Sequence, residues 1–166
     1  MPILKNPKIR RIRQVIWSNV LWIVWATWWG GLSFYAIVVI PIGTELIGSV
    51  EQGFISQKVT QWHNWLSLLF VMFLAIDAHV RRRGTLWIIV ALLVFINIML
   101  VVWHSILSSQ MDFEQKTVPS GFYAQHAVYL WFTAAQWIVG MAMPLFLLPI
   151  GTRRDPFERQ GSESIP

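Results

Sequence analysis

Three of the four histidines in this 166-residue chain stand at matching places in long apolar runs. His63 opens the second run, His104 closes the third and His126 opens the fourth. Runs that cross a bilayer in succession alternate in direction, so all three imidazoles are expected within a helical turn or two of one depth, near the outer interface. Linear spacing alone does not produce that agreement. Imidazole suits zinc, copper, iron and haem iron. Three neutral imidazoles with an open position predict a copper, zinc or iron site, with Glu45 or Asp112 as further ligands; two on facing helices would hold haem b. His63, His104 and His126 are therefore the candidate metal- and cofactor-binding residues, serving electron transfer or metal handling. The competing reading is that histidine, like its neighbours Trp62, Trp65, Trp103 and Tyr123, tolerates interfacial depth because part of its ring meets water.

Helical phase adds direction. Asn97 and His104 are seven residues apart on one face, and His126, Thr133 and Gly140 repeat that spacing with Trp137 beside them. Polar or small residues so spaced face other helices, where they hydrogen-bond or permit close approach. His104 and His126 are thus expected to point inward, which suits either a ligand site or an interhelical hydrogen bond. His79 has no assigned role, because Asp77 and Arg81 near it form an i,i+4 ion pair sufficient to anchor that end. In the first run Gly30, Gly31 and Ser33 offer a surface for a neighbouring helix. Trp25, Trp28 and Trp29 beside them pack, or line a cavity for a quinone-like ligand.

The elements that must position these residues follow from composition. The chain is 55% hydrophobic and 13% charged, with a mean hydropathy of +0.53, far from a soluble domain's roughly 25% charged residues. Four apolar segments, about 15–42, 60–80, 86–107 and 122–150, reach the roughly 20 residues that cross a bilayer core. Eleven of the thirteen Lys and Arg flank them on one side: five precede the first segment, Arg81, Arg82 and Arg83 join the second to the third, and three follow the fourth. The positive-inside rule then gives N-in and C-in. The loops at 43–59 and 108–121 fall outside. The fold class expected is all-α: an integral membrane four-helix up-down-up-down bundle, with residues 1–14 a basic cytoplasmic segment, 15–151 the membrane domain and 152–166 a disordered cytoplasmic tail.

The net charge of +5 is accounted for by topology, so no nucleic acid is expected as a partner. With no cysteine, thiolate sites and disulfides are excluded. Walker A, G-x-G-x-x-G, H-E-x-x-H and G-x-S-x-G motifs are absent, so no standard enzyme activity is expected. The expected partners are the lipid bilayer, here a bacterial inner membrane, and a second copy or a larger membrane complex. The alternative function is a non-catalytic membrane scaffold or partner-binding subunit with no cofactor.

WWGGLSFYAIVVIP at the end of the first span, Gly53 and Phe54 in the following segment, and FYAQHAVYLWFTAAQ opening the fourth span, with Phe122 and His126 as an F-x-x-x-H start, together resemble the small four-span family named after transmembrane protein 205. The resemblance covers the four-span region and implies architecture without a settled molecular activity. An asparagine expected further along the fourth span is missing, and His63 and His104 are not carried by the resemblance.

Overall fold

The computed structural model describes residues 7–112, 115 and 117–147. Helices α1 (Pro7–Phe34), α2 (Ile40–Ile47), α3 (Ser49–Arg81), α4 (Gly84–Ser109) and α5 (Phe122–Leu147) account for most of them, with a five-residue π-helical segment, Tyr35–Val39, between α1 and α2. Among the described residues, four helical stretches are long and apolar enough to cross a membrane: Lys8–Ile47, Ser49–Arg81, Gly84–Ser109 and Phe122–Leu147. At 1.5 Å per residue, the shortest would reach about 39 Å, past the roughly 30 Å of a hydrocarbon core.

Two boundaries depart from the sequence reading. The segment 43–59, expected as a loop, is helical except at Gly48. Gly48 carries a φ of 92°, a conformation open to glycine and strained for other residues. It breaks the chain once, and α3 restarts immediately with Glu51 in its first turn, where a carboxylate complements the helix dipole. The basic segment is helical from Pro7 onward; the tail expected over 152–166 lies outside the described residues.

The π segment has a cause in Pro41. Proline lacks the N–H that would bond the Ile37 carbonyl, and its ring collides with that carbonyl in a regular α-helix. The turn before it widens, and the Ile40 N–H bonds Tyr35 O, five residues back.

The helices close a ring in which α3 lies between α1 and α4, and α5 between α4 and α1. Trp17 meets Asp77 while Tyr35 meets Ser56, so α1 and α3 run in opposite directions. The core lies toward the end carrying the three-arginine turn, where Trp28 stacks on Phe70 at 4.6 Å between ring centroids and packs with Leu74, Leu93 and Met143. The outward faces are apolar as well: Trp131 and Leu145 are 76% and 75% exposed, the pattern of a surface solvated by lipid. The turn is closed by Arg82 at φ 51°, with the Arg83 N–H bonded to Ala78 O, a left-handed helix end of the kind glycine usually supplies. Arg83 Nη1 donates to Phe146 O at 3.1 Å, near the end of α5, where a cation meets the negative pole of the helix.

The expected Asp77–Arg81 pair is formed, at 2.7 Å. The small surface at Gly30 and Gly31 receives no helix: no side chain lies within 4 Å of where a Cβ would sit at either position. Close approach occurs at Gly140 of α5, against Trp28 and Trp29. Trp25 Nε1 donates to Gly140 O and Trp29 Nε1 to Trp137 O, so these tryptophans tie α1 to α5. Pro144 explains the first bond. It has no N–H for the Gly140 carbonyl, and that free acceptor takes an indole from the neighbouring helix.

Candidate functional site: a histidine-lined cavity

Above the Trp29–Trp137 contact the bundle opens into a cavity of about 880 Å³, within the size range of small-molecule sites. His63, His104 and His126 all line it. The shared placement expected from alternating spans is therefore present, but the three imidazoles differ in level and surroundings.

His104 Nε2 lies 3.0 Å from the Gln57 carbonyl of α3. A carbonyl only accepts, so Nε2 carries the proton and Nδ1 is left as the acceptor or ligating atom. His126 belongs to a ring ladder on α5, stacked at 5.8 Å from Phe122 and 6.3 Å from Tyr129. It is level with His104, because the adjacent residue's carbonyl, Gln125 O, accepts the Trp103 Nε1–H at 2.9 Å. His63 sits lower. Gln57 marks the His104 level, and six more residues of α3 carry His63 about 9 Å toward the arginine end. It was expected at the start of its span, but α3 begins at Ser49 and places it well inside the helix.

Among the described residues no three His, Asp or Glu side chains form a group that could hold a metal ion. Neither Glu45 nor Asp112 lines the cavity, and Asp112 Oδ1 accepts the Gln115 backbone N–H. The three histidines mark two levels of one larger space.

Residues outside the histidine set complete the walls. Tyr35, the first residue of the π segment, donates its hydroxyl to Ser56 Oγ at 2.8 Å, and the Gln52 amide donates to the Tyr35 oxygen at 3.3 Å. Removing that hydroxyl with Tyr35→Phe is expected to cost about 1 kcal/mol, read as a lower unfolding temperature in mild detergent; an unchanged temperature would show that the bond does not hold the wall. The floor is Gln136, 1% exposed, whose amide donates to Ser67 Oγ at 2.8 Å and reaches Asn97 Oδ1 at 3.4 Å. Below this polar layer the Trp28–Phe70 stack and Leu74 separate the cavity from Asp77 by an apolar plug.

Three buried polar atoms of lining residues have no hydrogen-bond partner among the described residues: Gln57 Oε1, His63 Nε2 and Ser108 Oγ. Buried polar atoms are nearly always paired, so a cluster of orphans beside a cavity calls for a partner from elsewhere. Gln52, Ser56 and Ser67 lie on α3 at helical spacings with His63, and that polar stripe running into an apolar segment was the available sequence signal for the wall. On α5 the stripe from His126 through Thr133 includes Gln136 as well.

The fold and site define a four-helix bundle of membrane-spanning length with a cavity between its helices. No family model, curated protein or solved structure matches the chain.

Proposed function

We propose that this is a multi-pass protein of a bacterial cytoplasmic membrane, up-down-up-down with both termini inside, that binds a lipid-soluble ligand in the histidine-lined cavity. The bias of eleven of thirteen basic residues to one side supports the orientation. The observation that carries the binding reading is a single cavity of about 880 Å³ that histidines of three helices line together. Haem b held by two of His63, His104 and His126, for electron transfer, is one form of this reading. A single copper, zinc or iron ion for metal handling is less favoured by the two-level placement of the imidazoles. A second copy or a larger membrane complex remains a natural partner for so apolar an exterior.

A specific observation favours the scaffold reading as the alternative. His104 already bonds α3 and His126 already stacks within α5, so both have packing roles that need no ligand.

Purification in mild detergent, followed by an optical spectrum, elemental analysis and mass spectrometry of an organic extract, separates these readings. The expected result is a stoichiometric small molecule in the wild type that is depleted in the His104→Ala/His126→Ala variant. A Soret band would identify it as haem. Wild-type protein carrying no haem, metal or organic molecule, even after haem and copper supplementation, would leave the scaffold reading.

A further inference from the structure

We infer that the cavity takes a neutral, ring-headed lipid of the isoprenoid-quinone class, admitted sideways from the bilayer through a slot between the π segment and α5. The inference rests on the binding reading above and narrows its ligand.

The slot follows from what the widened turn does to the bundle. Up to Ser33, α1 is fastened to α5, where Trp137 Nε1 donates to Ser33 Oγ at 2.8 Å. Beyond that bond the chain leaves α5: no Cα of Tyr35–Ile47 lies within 8 Å of a Cα in α4 or α5. On the two sides of the resulting gap, Phe34 and Leu130 line the cavity and are also 61% and 50% exposed. A residue that is both cavity lining and outer surface marks a doorway. The floor is closed by Gln136 and the apolar plug, so a ligand does not enter from the arginine end, and the slot gives it a path from the bilayer.

The chemistry of the occupant follows from the lining. Among the described residues no Asp, Glu, Lys or Arg lines the cavity. A phospholipid phosphate or the two propionates of a haem would bring negative charge into an apolar site with no guanidinium or ammonium to meet it, at a large desolvation cost. The polar groups present are imidazoles, hydroxyls and amides, neutral donors and acceptors that meet a quinone's carbonyls or its quinol's hydroxyls. The Ser108 hydroxyl, one turn from His104, is a donor without an acceptor. Tyr35, Phe122, Tyr123 and Tyr129 line the space, and aromatic side chains pack well on a flat ring. A hydrocarbon tail leaving through the slot stays in lipid.

The full chain in phosphatidylcholine nanodiscs, titrated with a short-tailed ubiquinone, tests this through quenching of its eleven tryptophans. Saturable quenching is expected. Ala36 lines the cavity from the π segment and is exposed, so a larger side chain there obstructs the slot without entering the core. Ala36→Phe is expected to weaken apparent affinity about ten-fold or more, and Ala36→Ser to leave it unchanged, with equal unfolding temperatures for all three proteins. Retention of haem or phospholipid together with no saturable quinone binding overturns the quinone inference and leaves the binding reading standing. Quinone binding unaffected by Ala36→Phe overturns the slot. Absence of every ligand overturns both readings.

Discussion

Valine in place of Gly140 is expected to destabilise the detergent-solubilised protein by about 3 kcal/mol, at the upper end of what overpacking costs, and to separate α1 from α5. A Cβ at Gly140 would overlap Trp29 Cδ1 and press on Trp28 Cη2. Neither ring has room to retreat, since Trp28 is fully buried on Phe70 and Trp29 is held by its bond to Trp137 O and by stacking between Trp25 and Trp137. Moving them also breaks the Trp25 bond to the Gly140 carbonyl. Thermal unfolding followed by tryptophan fluorescence gives the measurement; a Gly140→Val protein as stable as wild type would show that this crossing is loose. The role assigned to Pro144 can be tested with it. In Pro144→Ala the restored N–H returns the Gly140 carbonyl to its own helix, so Trp25→Phe should cost less in that background than alone.

Asp77→Ala is expected to cost about 2 kcal/mol, below the roughly 3–5 kcal/mol of breaking a fully buried pair. Asp77 is 2% exposed, and its Oδ1 accepts from both Arg81 Nε at 2.7 Å and Trp17 Nε1 at 2.9 Å. Alanine leaves a cation and an indole N–H facing an apolar wall. The cost falls short of the full penalty because Arg81 is 27% exposed and can turn its guanidinium to water. Asp77→Asn keeps an acceptor for Trp17 and should lose less. Salt supplies the discriminating control: a surface pair contributes under about 1 kcal/mol and is screened, whereas this loss should persist in high salt. Its disappearance there would reduce the pair to a surface contact.

The number of membrane-length helices was legible because an apolar run long enough to cross a bilayer has few other uses. Helix ends were less so. Ser49–Val59 mixes Glu51, Gln52 and Lys58 with apolar residues and reads as loop until the spacing of Gln52 and Ser56 is set against Tyr35, a contact between distant parts of the chain. The inward direction of His104 could be read from its phase with Asn97, and a bond to α3 bears it out. The lower level of His63 could not, because it depends on where α3 starts. Gly30 and Gly31 were read as the close contact since paired small residues usually are; the position that accepts one is Gly140, distinguished by the proline four residues later. Gln136, at the cavity floor, is one polar residue in an apolar span, and only its bonds to Ser67 and Asn97 on other helices distinguish it.

The widened turn at Tyr35–Val39 can also be expressed as chain length. A π turn holds one residue more than the α turn it replaces, and each helical residue advances the chain by about 100°. A one-residue deletion there would swing Pro41–Ile47 by about that angle relative to Tyr35. Tyr35 could then face Ser56, or α2 could lie along α3, but not both. The opening beside α5 is in this sense the spatial record of a single extra residue in one turn, accommodated where Pro41 cannot close a regular one.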